Sequence, residues 1–141
     1  MSMLRQLVAP FVVLAALSGT PAIAQTVDTT QALRVEDLEA GAGTEAQTGR
    51  TLVVHYTGWF YDPVQDERGR KFDSSHGGTP LSFRLGAGLV IKGWDDGLIG
   101  MRVGGVRTLI VPPDQAYGRK GKGPVPPDSW LMFEIELLDV K

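Results

Sequence analysis

The chain has 141 residues, a formal net charge of −2 and 43% hydrophobic residues, which predicts one domain with a single modest core. Its 14 basic and 16 acidic side chains are scattered, so neither a nucleic-acid partner nor binding to an anionic membrane is indicated. The absence of cysteine excludes disulfides, thiol nucleophiles and zinc–thiolate sites, and two histidines are too few for a histidine-rich metal site.

The amino terminus predicts a targeting segment. Arg5 precedes an uncharged apolar run over residues 7–17, which has the length of a signal-peptide core and is too short to span a bilayer. Ala22-Ile23-Ala24 then supplies the small-x-small pattern that signal peptidase cleaves, so we expect cleavage after Ala24. A retained anchor or a buried helix is the alternative. The mature protein would be exported, to a periplasm, and would begin with a flexible tail over residues 25–31 ahead of a domain over residues 32–141.

Short strands dominate the rest of the chain, because glycine and proline are frequent and β-branched residues alternate with polar ones. In chain order the strands are predicted over residues 33–38 (an edge), 51–60, 71–73, 81–85 and 106–111, with a last strand in which Leu131, Phe133, Ile135 and Leu137 share a buried face. Residues 62–70 are polar and residues 114–127 are rich in glycine and proline, so both stretches are predicted to be loops.

Residues 90–98 form the single predicted helix. Ile91, Trp94 and Leu98 fall at i, i+3 and i+7, so they share one face. Two internal glycines each cost about 1 kcal/mol of helix propensity relative to alanine, so a sheet packed around the indole must hold the helix. These elements predict an α+β domain in which an antiparallel sheet of about five strands wraps around one short helix.

The motifs of common catalytic sites are missing from the sequence. It contains neither Gly-x-Ser-x-Gly nor a Walker-type phosphate loop, and the adjacent Asp95 and Asp96 would point in different directions on a helix. What remains is a set of large aromatic residues at the ends of elements or in loops, namely Tyr56, Phe72, Trp94, Tyr117 and Phe133. Each is more often a core residue than a site residue, except Tyr117, whose glycine- and proline-rich loop offers it no core to join.

Five short motifs stand in order along residues 33–141. They are Val54-His55-Tyr56-Thr57-Gly58, Lys71-Phe72-Asp73-Ser74-Ser75, Val90-Ile91-x-Gly93-Trp94, Ala116-Tyr117-Gly118 and Pro126-Pro127-x-x-x-Leu131-x-Phe133. In this order and spacing they resemble the FKBP-type peptidyl-prolyl cis-trans isomerases, in an exported bacterial form. The resemblance implies a half-barrel antiparallel sheet curled round the short helix, with a pocket between them. It also implies no cofactor, no metal and an affinity for macrolides such as rapamycin, which would act as inhibitors.

The resemblance also assigns residues to that pocket. Catalytic roles would fall to Tyr56, Asp73, Ile91, Trp94 and Tyr117, and substrate binding to Phe72, Leu81, Val90, Val125 and Phe133. Trp94 would be the floor beneath the proline ring, while the Ile91 N–H and the Tyr117 hydroxyl would donate hydrogen bonds to substrate carbonyls. Val125 would sit on a flap before Pro126-Pro127.

The sequence departs from the family pattern in three places. The stretch over residues 62–70 is longer than in the shortest family members. Leu81 stands where phenylalanine is frequent. His76-Gly77-Gly78 replaces the basic residue that often pairs with the aspartate, so the partner of Asp73 is left open.

The function implied is rotation of X-Pro bonds in unfolded or exposed segments of exported proteins, by a monomer. The rotational barrier comes from amide resonance, and a twisted amide is less polar than a planar one. An apolar, water-poor pocket therefore favours the twisted transition state, and no nucleophile is needed. The alternative is a proline-recognising binding module or holdase chaperone whose catalysis is incidental.

Overall fold

A computed structural model of the protein describes residues 32–141, and the predicted signal peptide and tail lie outside that range. The six strands are β1 (Arg34–Glu39), β2 (Thr51–Asp62), β3 (Glu67–Ser74), β4 (Leu81–Arg84), β5 (Val106–Val111) and β6 (Leu131–Val140). The helix α1 spans Lys92–Gly97, and a short 3-10 helix spans Pro113–Gln115. No helix within residues 32–141 is both long enough and apolar enough to cross a bilayer.

The strands form one open antiparallel sheet in the order β1-β5-β6-β2-β3, and β4 pairs with the first half of β2. This arrangement confirms the predicted α+β class with an antiparallel sheet and one short helix, with six strands against the expected count of about five. β2 and β6 are the longest strands and lie side by side, so they carry the centre of the sheet.

The core lies between one face of the sheet and α1. β2, β5 and β6 supply the core residues of the sheet that are at most 4% exposed, namely Leu52, Val54, Leu109, Val111, Leu131, Phe133, Ile135 and Leu137. In β6 they recur with a period of two, which is the signature of a strand with one buried face, whereas β5 is buried on both faces, since Thr108 and Ile110 are each 6% exposed. On the helix side Trp94 and Leu98 are 4% and 0% exposed, so the predicted apolar stripe of the helix does meet the sheet.

The two glycines of α1 allow the helix to lie directly against β5. A Cβ atom at Gly93 would lie 2.5 Å from Val111 Cγ1, and one at Gly97 would lie 2.8 Å from Leu109 Cδ2. Both distances are shorter than atoms in contact tolerate, so no larger residue fits at either position unless the helix or the facing side chain moves. Close packing on the sheet thus offsets the poor helix propensity of glycine.

The helix is shorter than predicted. It begins at Lys92 rather than at residue 90, and Ile91 precedes it in an extended conformation with φ of −61° and ψ of 152°. The Ile91 carbonyl accepts the first helical hydrogen bonds, from the N–H groups of Trp94 and Asp95. Val90 and Ile91 therefore belong to the segment that leads into the helix, which frees their side chains to line the space beside it.

The predicted loop over residues 62–70 is wrong for most of its length. Asp62 ends β2 and residues 67–70 begin β3, so only residues 63–66 connect the two strands. Glycine and charged residues in this stretch are typical of loops, but contacts across the hairpin favour pairing. The Arg68 guanidinium lies 4.3 Å from the centre of the Trp59 ring, a cation–π contact between neighbouring strands that sequence spacing alone does not indicate.

Candidate active site

A cavity of about 170 Å³ opens where α1 packs on the sheet. Its walls come from β2, β3, β4, the segment before α1, α1 itself, the loop after β5, and β6. The lining residues are Tyr56, Phe72, Asp73, Leu81, Leu89, Val90, Ile91, Trp94, Tyr117 and Phe133. The fold thus brings together nine of the ten residues assigned from the sequence, although they are spread over most of the domain.

Val125 and Leu89 are the two differences between the assigned set and the cavity. Val125 is 4% exposed, packs in the hydrophobic core and does not line the cavity. Its N–H and carbonyl form two 2.9 Å hydrogen bonds with Lys122, so it anchors its loop from the inside. Leu89 lines the cavity and is 68% exposed. Its sequence signal is weak, since it is one apolar residue after a glycine-rich turn.

Aromatic contacts fix the floor of the cavity. The Trp94 ring meets the edges of Tyr56 and Phe133 at centroid distances of 5.1 and 5.3 Å and interplanar angles of 77° and 89°. A third ring, Phe83, lies 5.7 Å away. Such edge-to-face pairs each contribute about 0.5–1.5 kcal/mol beyond the burial of their area. The floor is therefore a rigid part of the core as well as a wall of the cavity.

The floor is also shielded from solvent. The indole N–H of Trp94 is out of contact with solvent and has no hydrogen-bond partner in residues 32–141. Around it the lining side chains are aliphatic or aromatic, except for Asp73 and the two tyrosine hydroxyls, while backbone groups such as the Ile91 N–H add polar atoms. A planar amide entering this space would exchange water for an apolar surface.

A glycine in β2 gives the aromatic rings their room. A Cβ atom at Gly58 would lie 2.9 Å from both Phe133 and Phe72, whose rings meet edge to face at a centroid distance of 5.9 Å. Any side chain at this position would displace one of these two lining rings. The glycine of the first motif is thus explained by close approach of side chains.

The polar rim of the cavity supplies the partner of Asp73 that the sequence left open. The Tyr56 hydroxyl donates to Asp73 Oδ2 at 2.7 Å, and the Ser74 N–H donates to Asp73 Oδ1 at 2.8 Å. His76, at the position where the family often has a basic residue, stacks on His55 at a centroid distance of 4.7 Å and makes no hydrogen bond to Asp73. Two neutral donors therefore hold the Asp73 carboxylate in place of a basic side chain.

The environment keeps both tyrosines protonated. Burial, followed by the hydrogen bond to Asp73, raises the pKa of Tyr56 well above its ordinary value. Burial, followed by the negative charge of Asp73, raises the pKa of Tyr117. Since an unperturbed tyrosine already titrates near pH 10, both hydroxyls remain hydrogen-bond donors at physiological pH.

Two lining donors have no acceptor within the described part of the chain. These are the backbone N–H of Ile91 and the hydroxyl of Tyr117. They belong to separate segments, one just before α1 and the other in the loop after β5, and both line the same cavity. As for metal sites, no three metal-ligating side chains come together anywhere in residues 32–141.

A family model described as "FKBP-type peptidyl-prolyl cis-trans isomerase" matches residues 43–138. The chain belongs to this family. The isomerase function and the enzyme class predicted from the five motifs are therefore confirmed. The family model covers every residue of the cavity lining.

Related proteins agree with this assignment. An "FK506-binding protein" of Neisseria meningitidis serogroup A is 50% identical over 110 residues, which cover 77% of this chain and 95% of that protein. The "Peptidyl-prolyl cis-trans isomerase FKBP15-3" of Arabidopsis thaliana is 50% identical over 111 residues, 77% of this chain and 74% of the relative.

Two solved FKBP structures share the fold. AtFKBP13 superimposes with a TM-score of 0.67 at 41% identity and covers 77% of this chain and 93% of its own. FkpA from Escherichia coli gives a TM-score of 0.68 at 42% identity, covering 83% of this chain. This FKBP spans about half of the FkpA chain, 51%.

Proposed function

We propose that this FKBP rotates X-Pro bonds inside the cavity between α1 and the sheet, by desolvation and without a nucleophile or proton transfer. The carrying observation is an apolar floor shielded from solvent, in a cavity also lined by two hydrogen-bond donors that have no partner in residues 32–141. In this proposal the proline ring lies on Trp94. The Ile91 N–H and the Tyr117 hydroxyl donate to carbonyls on either side of it and fix the peptide while the bond turns.

The energetics favour such a site. Resonance sets a rotational barrier of about 18–20 kcal/mol, and X-Pro isomers exchange in tens to hundreds of seconds without help. Half-way through rotation the carbonyl oxygen loses negative charge and the nitrogen loses positive character. A dry cavity destabilises the polar planar amide more than this less polar twisted state, which is differential binding of the transition state.

The rim residues complete the proposal. Asp73, held by the Tyr56 hydroxyl and the Ser74 N–H, presents a fixed carboxylate beside the apolar wall. We assign it the role of accepting an N–H of the bound peptide. The remaining wall is apolar and consists of Phe72, Leu81, Val90 and Phe133, with exposed Leu89 at its edge. This wall favours substrates with a bulky apolar residue before proline. Substrates are exposed or unfolded segments, and the protein acts as a monomer.

Turnover of a Leu-Pro peptide, measured by NMR exchange or a protease-coupled assay with and without rapamycin, tests the proposal. We expect acceleration over the uncatalysed reaction, abolished by an equimolar macrolide. A Tyr61→Phe protein should behave as the parent does in both assays, because its hydroxyl bonds Asp66 and neither residue lines the cavity. If the acceleration persists with rapamycin bound, catalysis does not take place in this cavity. Suppression of client aggregation that survives in an inactive cavity variant would favour the holdase alternative.

We further propose export, with cleavage after Ala24. The support is the apolar run over residues 7–17 and the Ala22-Ile23-Ala24 pattern that follows it. Amino-terminal sequencing of protein recovered from a periplasmic fraction should begin at Gln25. A cell-associated protein that retains Arg5 would refute this.

A further inference from the structure

The loop between β4 and α1, residues 85–91, carries one side of the cavity. Its last three residues line the cavity, namely Leu89, Val90 and Ile91. The two ends of the loop are anchored by packing, because Leu85 is 1% exposed and both Val90 and Ile91 pack against the core. Residues 86–89 between these ends are all exposed, so packing does little to hold them.

Asp95, in the first turn of α1, reaches back to this exposed stretch. Its Oδ1 accepts a hydrogen bond from the Gly86 N–H at 2.8 Å, and its Oδ2 accepts one from the Gly88 N–H at 3.0 Å. The backbone of residues 86–90 makes no other hydrogen bond within residues 32–141. One carboxylate therefore supplies all the hydrogen bonds that hold the stretch.

The two donors lie where the chain is least constrained by its own sequence. Gly86 and Gly88 both have left-handed φ angles, of 84° and 73°. Glycine enters this region without steric cost but also has many other conformations open to it, so it loses more conformational freedom than any other residue when it is ordered. Hydrogen bonds to an ionised acceptor are stronger than those between neutral groups. The Asp95 carboxylate thus selects one conformation of a loop that would otherwise adopt several.

We propose that Asp95 is a positioning residue of this isomerase, which holds the loop so that Leu89 and the Ile91 N–H are in place before substrate arrives. This role rests on the function proposed for the cavity. Asp95 does not line the cavity, so it acts through the loop. A loop that is already ordered adds no ordering cost when the peptide binds, whereas a loose loop must be ordered at that moment. The carboxylate therefore raises affinity for the peptide and leaves the rotation step unchanged.

The neighbouring acid supplies a matched control. The Asp96 carboxylate accepts a 2.7 Å hydrogen bond from Lys92 Nζ on the exposed side of α1 and makes none to residues 86–90. The two aspartates thus carry the same charge at adjacent positions of one helix but hold different partners. Only the first is connected to the cavity wall.

The test compares Asp95→Asn with Asp96→Asn. Asparagine keeps the shape of the side chain but replaces one acceptor oxygen with an NH2 group, so it can accept only one of the two glycine N–H groups through that oxygen. Turnover of a Leu-Pro peptide, followed by NMR exchange over a range of peptide concentrations, separates kcat from KM. We expect Asp95→Asn to raise KM about three- to tenfold at an unchanged kcat, and Asp96→Asn to match the parent in both. Backbone 15N order parameters of residues 86–89 should fall in Asp95→Asn alone.

The outcomes separate this role from the function of the cavity. If the parent does not accelerate the peptide at all, the proposed function fails. If the parent is active and Asp95→Asn matches it in KM, the positioning role is refuted while the function of the cavity stands. A lower kcat at an unchanged KM would also refute it, because loss of folded protein would then be the cause. An equal rise of KM in both variants would refute it as well, because the charge of the helix would be responsible.

Discussion

The floor and the rim of the cavity are built in different ways. Floor residues such as Trp94 and Phe133 belong to regular elements, are 4% exposed and are held by packing against other rings. Rim residues such as Tyr117 and Leu89 lie in connecting segments and are at least partly exposed. In the proposed mechanism the floor therefore serves both the fold and the chemistry, whereas Tyr117 and Leu89 serve mainly the chemistry. Substitutions in the two regions should separate these contributions.

The largest expected effect is on the floor. Trp94→Ala should lower the free energy of unfolding by about 3–5 kcal/mol and reduce kcat/KM further than instability explains. Urea unfolding and peptide turnover on the same protein measure both effects. Trp59→Ala is the control, because that ring is only half-buried and lies on the hairpin against Arg68, so its loss should cost clearly less than that of Trp94. Equal stability of the two variants would remove the distinction between floor and surface.

The next largest effect is expected where α1, which carries Trp94, packs directly against β5. Gly93→Ala should destabilise the fold by about 1–3 kcal/mol, because the new Cβ overlaps Val111, even though alanine is the better helix former. Gly78→Ala is the control, since its Cβ would meet only the Ser75 carbonyl oxygen at an ordinary 3.7 Å. Thermal unfolding of the pair gives the answer. A stabilised Gly93→Ala protein would mean that propensity, and not close packing, governs α1.

A smaller, purely functional effect is expected at the rim. Tyr117→Phe removes the hydroxyl proposed to donate to substrate and should lower kcat/KM by about three- to tenfold, with stability within about 0.5 kcal/mol of the parent. Tyr61→Phe removes a hydroxyl that bonds Asp66 instead, and its turnover should match the parent. Identical turnover of the two variants would take the Tyr117 hydroxyl out of the mechanism.

The smallest effect is an alkaline loss of stability. Burial raises the pKa of Tyr56 and Tyr117 in the folded protein, so the folded state holds these protons more tightly than the unfolded state does. Their contribution is complete below about pH 10, where tyrosine titrates when unfolded, and is lost as pH rises through the folded pKa. Denaturation midpoints should therefore fall above about pH 10, and less steeply for Tyr56→Phe. An unchanged slope would contradict the assignment to Tyr56.

The difference between floor and rim also governs what the sequence could predict. Strand periodicity identified Phe133 and the other buried residues of β6, and helical spacing identified Trp94, because both patterns are local. The Tyr56–Asp73 hydrogen bond joins β2 to β3. Residues 67–70 of β3 are predicted to be loop, so the pairing of the two strands, and with it this hydrogen bond, could not be predicted from the sequence. Leu89 gave only a weak signal as well, because its place on the cavity wall depends on how the segment before α1 turns.

Val125 shows the limit of assignment by resemblance. A motif places a residue near a site, but its side-chain direction depends on the local turn. Here the Lys122–Val125 turn directs it into the core. The glycines at Gly58, Gly93 and Gly97 make the opposite point, because their role is visible only once the neighbouring side chains are in place.

The central claim, that dryness of the cavity drives rotation, is tested most directly by Val90→Thr. This half-buried lining residue keeps its shape in the variant but gains a hydroxyl, which brings polarity into the wall. With Val90→Ile as the apolar control, kcat/KM on a Leu-Pro peptide should fall about three- to tenfold for threonine and stay near the parent for isoleucine. Full activity of a folded Val90→Thr protein would contradict the account.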